Sequence, residues 1–446
     1  MRGLVLKLTA ASAVAAACFV LFAPRAGAVT TEAFVFDDAA DFGGGELDGA
    51  AIESKGRLVP GLALSRIELG GASTAYSVAR GADGTVYVGT GNDGKIFAIR
   101  GDRAELHAET GQLLVSSLAI GEGGVLYAGT LPEGRIYAIE RRGAVRELAR
   151  IEGAEHVFAL LWDGSRLFAG TGPTARVYSI TPQGAATVYY DGEPGHVMSL
   201  ARGPDGSLYA GTDGRALLLR LRGAGRAEVV HDFAGNEITA LASRDGTLAV
   251  AANELPANAT KQGGSRSGKG RLYRVIGGDA ELVAERDDGH FTSVQIADDG
   301  SFLASTGEGG RVVRVGPDRS QAVVADVDER QVLAIDLLRS PGFFVTGDGA
   351  AAYRVTEAAA AEGTWTSKVL DARFEARFGR IAYRGEGPVE LSTRSGNTEL
   401  PDATWSEWSA PLRQAGPIRS PAARFLQVRA KLGQGASVRA ITAFYL

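Results

Sequence analysis

The chain has 446 residues, 45% hydrophobic and 22% charged, with a formal net charge of −5. This is soluble-globular composition at a length suited to one large domain plus a smaller one, and the acidic balance excludes a nucleic-acid binder, which needs a basic face to neutralise phosphate. Glycine, at 61 residues, is about twice its usual share and, with no collagen period, predicts many tight turns.

Arg2 and Lys7 open the chain, an apolar stretch of small residues runs from Leu8 to Pro24, and Ala26-Gly27-Ala28 is an A-x-A cleavage site. Residues 1–28 are therefore expected to be a cleaved export signal, giving a periplasmic or secreted protein with no membrane span. Cleavage takes the net charge from −5 to −8 by removing three cations, and removes Cys18, the one cysteine of the sequence. A chain exported without cysteine has no disulfide framework and must be held by its core. Residues 29–57 read as an N-terminal lead-in. Its first part, 29–45, with Asp37-Asp38 and Gly43-Gly44-Gly45, is expected to be flexible.

One motif then occurs seven times. Its copies read VYVGTGNDGKIFAI from Val86, LYAGTLPEGRIYAI from Leu126, LFAGTGPTARVYSI from Leu167 and LYAGTDGRALLLRL from Leu208. LAVAANE from Leu248 resumes as GRLYRV at Gly270, and FLASTGEGGRVVRV from Phe302 and FFVTGDGAAAYRV from Phe343 complete the series. The anchors Gly89, Gly129, Gly170, Gly211, Ala251, Ser305 and Thr346 are spaced by 40, 41, 41, 40, 54 and 41 residues, the long interval holding an insertion. Within the first copy, apolar runs at 75–79, 86–89 and 96–99 and a more polar run at 104–108 are separated by turns such as Asp83-Gly84. Three apolar strands and one polar outer strand per roughly 40 residues is the pattern of a propeller blade. The runs are too short and too glycine-punctuated for a helical solenoid. The fold class expected is all-β: a seven-bladed β-propeller over 58–362, followed by a small β-sandwich domain. The seventh copy lacks a clear fourth strand, and the segment from Leu58 to Leu69 is expected to supply it, covering an open sheet edge.

The stretch GHVMSLARGPDGSLYAGT, from Gly195 to Thr212, resembles the inner hairpin of WD-repeat and NHL-type propellers. The Trp-Asp dipeptide that closes a WD repeat is missing, since third strands end Ile99-Arg100, Ile139-Glu140 and Ile180-Thr181. The chain is thus similar to secreted bacterial propellers rather than to true WD repeats. The resemblance covers about 58–357 and implies a fold, not an activity.

From Gly363 the repeat gives way to irregularly spaced short strands, so 363–446 is expected to be the β-sandwich. The run TRSGNT from Thr393, followed by Trp405-Ser406-Glu407-Trp408-Ser409, resembles the C-terminal sandwich seen after some bacterial propellers. Trp405 and Trp408 are candidates for a glycan-stacking platform; packing aromatics are the plainer reading.

Candidate chemistry lies in one column of the repeat. Four residues before the last apolar residue of each first strand stand Thr74, Leu114, His156, His196, Glu237, His290 and Gln331, and the column holds three of the five histidines of the chain. In a propeller these positions open the innermost strands, at the mouth of the central funnel. His156, His196, His290 and Glu237 form a candidate shell for a divalent metal, Zn²⁺ or Mn²⁺. The plainer reading is that each histidine caps a loop or bonds a neighbouring backbone group. The loops between second and third strands carry Asp93, Glu133, Asp213, Glu254, Glu308 and Asp348, an acidic rim open to Ca²⁺ or a cationic partner, or else ordinary turn chemistry. The insertion from Asn253 to Gly270, with Lys261, Arg266 and Lys269, extends one such loop. No nucleophile elbow, phosphate-binding loop or zinc-protease motif is present, and no organic cofactor is implied.

Two functions remain open. The first is an extracytoplasmic, monomeric, non-catalytic binding or scaffolding protein whose partner is a protein or a polysaccharide. The alternative is a metal-dependent, lactonase-like hydrolase or lyase acting in the funnel.

Overall fold

The computed structural model describes residues 31–203, 205–256, 268–357 and 359–446. The expected export signal at 1–28 and most of the insertion, with Lys261 and Arg266, lie outside the described residues.

Each repeat folds as an antiparallel quartet of strands. The first runs Ala75–Arg80, Val86–Thr90, Lys95–Arg100 and Arg103–Glu109. Its first reversal is built by Asp83 and Gly84. Asp83 Oδ1 accepts the Thr85 N–H at 3.1 Å, and Gly84 takes φ +85°, a backbone region that suits glycine. Asp205-Gly206 and Asp299-Gly300 repeat the device, at 3.1 and 3.0 Å to the N–H groups of Ser207 and Ser301. In the first, third, fourth and seventh quartets the second strand is buried along its whole length, which is why it is apolar or small at every position, while the fourth strand of the first quartet is mostly exposed.

The quartets follow one another over 75–109, 114–150, 156–194, 197–232, 237–286, 291–326 and 331–357. The last has three strands of its own, and Ala63–Glu68 pairs with Ala351–Glu357 as its fourth. The first strand of every quartet packs on the first strand of the next, and Gln331–Asp336 of the last packs on Ala75–Arg80 of the first. Separate apolar clusters fill the successive interfaces. The chain is an all-β propeller. The wider closure expected of residues 58–69 is narrowed, because Arg57–Pro60 forms a hairpin with Ala50–Glu53 instead.

Polar stitches run between neighbouring quartets. Ser77 Oγ donates to Val115 O (3.1 Å), Ser117 Oγ to Val157 O (3.4 Å), Ser199 Oγ to Ile238 O (3.0 Å) and Thr292 Oγ1 to Val332 O (2.5 Å). Asn253, fully buried, donates to Phe291 O (2.8 Å) and accepts the Phe291 N–H (3.0 Å). Across the closing interface Arg80 pairs with Asp336 at 2.5 Å and donates to Pro341 O at 2.7 Å. These bonds satisfy backbone groups that would otherwise be stranded between sheets.

The lead-in expected to be flexible over 29–45 is, from residue 31 onward, part of the C-terminal module. Glu32–Phe36 pairs with Ser437–Tyr445, a helix at Ala39–Gly43 is capped by Asp38 (Oδ1 to Asp41 N–H, 2.7 Å), and Glu46–Asp48 pairs with Glu362–Thr366. The reason is apolar burial. Phe36, Phe42 and Leu47 join Trp365, Leu426, Val428 and Ile441 in one core shared by two sheets. Trp365 is fully buried and its Nε1–H donates to Phe42 O at 2.8 Å. Ala50–Glu53 also pairs with Gln321–Asp326, so the sixth quartet and one sheet of this module form a continuous ladder.

Candidate functional site

The histidine column falls where its spacing put it. Leu114, His156, Glu237 and Gln331 open first strands, and Thr74, His196 and His290 immediately precede theirs. The strand ends bring two of the three histidines together. His156 Nδ1 lies 3.2 Å from His196 Nε2, with the rings 5.2 Å apart. His196 is fixed by Asp213, which receives its ring Nδ1 at 2.6 Å on Oδ2 and its backbone N–H at 2.5 Å on Oδ1. Phe158 packs edge-on to His196 and tilted to His156, at centroid distances of 5.2 and 5.3 Å. Gly172 makes room, since a Cβ there would lie 1.8 Å from His196 Cδ2.

The proton order follows from the acceptor at one end. A carboxylate only accepts, so His196 Nδ1 carries a proton, and in the neutral tautomer of the ring Nε2 then offers a lone pair. That lone pair takes the His156 Nδ1–H, which leaves His156 Nε2 as an acceptor at the end of the chain. Burial, then the neighbouring His196, hold the His156 pKa below the ordinary 6.5, with Glu155 opposing, so the ring is neutral at pH 7. The arrangement provides a neutral, oriented imidazole base beside an apolar ring.

The other two members of the expected metal shell do not complete it. Glu237 is joined to Asp213 by a backbone bridge, and its Oε1 accepts from Thr239 Oγ1 at 3.1 Å. His290 is 8% exposed, with its ring seated against Gly307 in the sixth quartet. Among the described residues no group of three His, Cys, Asp or Glu side chains has the geometry to hold a metal ion. The acidic rim is largely self-neutralised. Asp93 pairs with Lys95 (3.3 Å), Glu133 with Arg135 (2.6 Å), Glu254 with Arg271 (3.4 Å) and Asp348 with Arg330 (2.6 Å). Asp213 serves His196, and Glu308 O accepts from Thr306 Oγ1 at 2.7 Å.

The two-tryptophan platform does not form, because Trp405 is 7% exposed and donates from Nε1 to Thr398 Oγ1 at 2.9 Å. Trp408 is partly exposed, but the guanidinium carbons of Arg429 and Arg394 stand 3.9 and 4.7 Å from its ring centre. Sequence reasoning missed both arginines and also Phe158, which stands two residues after His156 at an irregularity in the strand pairing, where simple alternation gives no guide to its direction. Placing Asp213 in a separate rim column hid its role as the partner of His196.

No protein-family model matches the sequence, and no curated protein matches it. Solved structures do. A catalytically inactive virginiamycin B lyase from Staphylococcus aureus with quinupristin superposes with a TM-score of 0.52 at 13% identity, over 66% of this chain and 100% of that one. An extracellular domain from B. thetaiotaomicron assigned to a one-component system gives 0.50 and 16%, over 66% of this chain and 39% of that one. The WD40 β-propeller domain of Doa1 gives 0.50 and 14%, over 67% and 97%. At such identities the likeness is one of fold, and that fold hosts a lyase, an extracellular domain of a signalling protein and a WD40 domain.

Proposed function

We propose that the chain is an exported, seven-bladed binding propeller that recognises a ligand at its mouth through His156, His196 and Phe158. One observation supports the reading: Asp213, His196 and His156 form a hydrogen-bonded row beside an aromatic face, and its last nitrogen, His156 Nε2, has no hydrogen-bond partner among the described residues. A ligand suited to it presents an N–H or O–H donor to His156 Nε2 and an apolar edge to Phe158. The test uses residues 29–446 with isotope-labelled histidine, screened against cyclic depsipeptides and cell-wall oligosaccharides. A ligand is expected to move the His156 and His196 ring signals, leave His107 and His231 in place, and lose affinity at least tenfold in His156→Ala. A ligand bound equally well by the His156→Ala/Phe158→Ala double variant overturns the assignment.

The same row favours a second reading, an acid–base hydrolase or lyase in which His156 Nε2 removes a proton. It is separated from the first by incubation with quinupristin or a simple lactone. Product formation that resists chelator and vanishes in His156→Ala supports the enzyme. Binding without product supports the receptor.

A further inference from the structure

We propose that Arg394 and Arg429, held against Trp408 on the C-terminal module, form an oxyanion-binding site for an acidic polysaccharide. The site is built on other strands than the mouth and does not depend on the reading given for it. Strand alternation builds it. In Ala423–Gly433 the side chains of Leu426, Val428, Ala430 and Leu432 enter the core, so Gln427, Arg429 and Lys431 stand on the opposite face. Val389–Gly396 pairs alongside, with Arg394 opposite Gln427 and Ser392 opposite Arg429. On the other flank Thr366 is opposite Arg429.

Charge balance sets these two arginines apart. Lys431 pairs with Glu362 (2.7 Å), Arg413 with Glu390 (2.8 Å) and Arg424 with Asp371 (2.8 Å). Among the described residues no carboxylate pairs with Arg394 or Arg429. Arg394 is immobilised by a neutral group, its Nε and Nη2 both donating to Gln427 Oε1 (2.8 and 2.6 Å), and Gln427 is itself fixed by donating to Ser367 O (2.8 Å). Arg429 Nε is buried and has no hydrogen-bond partner among the described residues. Burial, then the Arg394 charge, lower the Arg429 pKa, against a weaker opposing pull from Glu46.

Two pinned like charges are unfavourable unless an anion lies between or beside them. Stacking on Trp408 uses the faces of the guanidinium groups; Arg394 commits its Nε–Nη2 edge to Gln427, so its Nη1–Nη2 end and the Nη groups of Arg429 are what remain for an acceptor. A carboxylate or sulfate oxyanion fits such edges in paired hydrogen bonds. The indole offers an adjoining surface for a sugar ring, and Ser392, partly exposed, supplies a hydroxyl in register on one flank. A mature chain of charge −8, once the three cations of 1–28 are removed, repels polyanions at large, so attachment has to be local.

The test titrates residues 29–446 by calorimetry with oligogalacturonate, dextran sulfate and neutral dextran. Binding of an acidic polymer is expected, weakening with added salt, with no heat from dextran; the two acidic probes tell carboxylate from sulfate. Arg394→Gln and Arg429→Gln should each weaken it at least tenfold, whereas Lys431→Gln stays within twofold. His156→Ala should leave it unchanged, which separates this site from the mouth. If Arg429→Gln fails to fold, Arg394→Lys, which keeps the charge and loses the fork, carries the same test. Equal binding of dextran, equal weakening by Lys431→Gln, or wild-type affinity in the arginine variants overturns the proposal, as does absence of binding to either acidic probe.

Discussion

Replacing Asp213 by alanine tests the row at its anchor. The carboxylate accepts two bonds from His196, one from the ring at 2.6 Å and one from the backbone at 2.5 Å, and its side chain is 26% exposed. A hydrogen bond to a charged group contributes about 1.5–3 kcal/mol; the second bond is shared with the same carboxylate and the site is partly wet, so the loss should be about 2–4 kcal/mol. The larger effect is on proton placement. Without an acceptor at Nδ1, His196 is free to carry its proton on Nε2 and to donate towards His156, which reverses the order along the row. Nitrogen-15 NMR of labelled histidine reads this directly. Wild-type His156 and His196 should both appear as Nδ1–H tautomers at pH 8, and Asp213→Ala should convert His196 to a mixture or to the Nε2–H form. A single unchanged tautomer at both rings, together with a stability change below about 0.5 kcal/mol, would refute the derivation.

Asn253→Leu keeps volume but strips both bonds to Phe291, leaving a buried N–H and C=O without partners at about 1–3 kcal/mol each; denaturant unfolding should show a loss of about 3–5 kcal/mol, and a change under 1 kcal/mol would count against the stitch. The Asp326 carboxyl is raised from 3.8 to about 6 by burial, which outweighs Arg311 at 3.3 Å. Because its folded pKa lies above the unfolded one, its contribution is fully present below pH 4 and is lost as pH rises through 6, a change of about 3 kcal/mol for two pKa units. Asp326→Asn should therefore gain stability over wild type between pH 4 and pH 7, as read by thermal melts across that range; a difference flat with pH would contradict the assignment.

The repeat carried most of the architecture because a blade is a local object. Its turns are set by Asp-Gly pairs, its second strand by unbroken burial, and its stitches by Ser77, Ser117 and Ser199, all within one period of the sequence. The histidine column's place in the repeat was legible for the same reason, since every member opens or just precedes a first strand. What the column did not contain is side-chain direction. His196 turns towards His156 because Asp213 holds its Nδ1 and Gly172 leaves space for its ring, whereas His290, at the equivalent position, packs against Gly307. Asn253 stands in the fifth quartet where Asp213 stands in the fourth, two residues past the anchor. One holds the next sheet and the other holds a histidine, a difference set by what each neighbour offers.

Pairings that span the chain were not legible at all, and they decide what can be cut. Glu32–Phe36 meets Ser437–Tyr445 across some four hundred residues of sequence, and no local pattern announces such a partner. A fragment beginning at Gly363 would lack Phe36, Phe42, Leu47, Ala50, Ile52 and Leu58, all members of the module's core. It would also leave the buried Trp365 Nε1–H without Phe42 O, at a cost of about 1–3 kcal/mol, and would open the edge that Ala50–Glu53 and Arg57–Pro60 cover. Residues 363–446 are therefore not expected to fold alone. Because Ala50–Glu53 also extends the sixth quartet while Ala63–Glu68 completes the seventh, one N-terminal stretch ties the module to the ring at two quartets. Swinging the module away would break ladder hydrogen bonds rather than flex a linker. The mouth and the Arg394–Arg429 surface are thus held at a fixed separation, and a polymer engaging both would have to match that spacing to gain from the second contact.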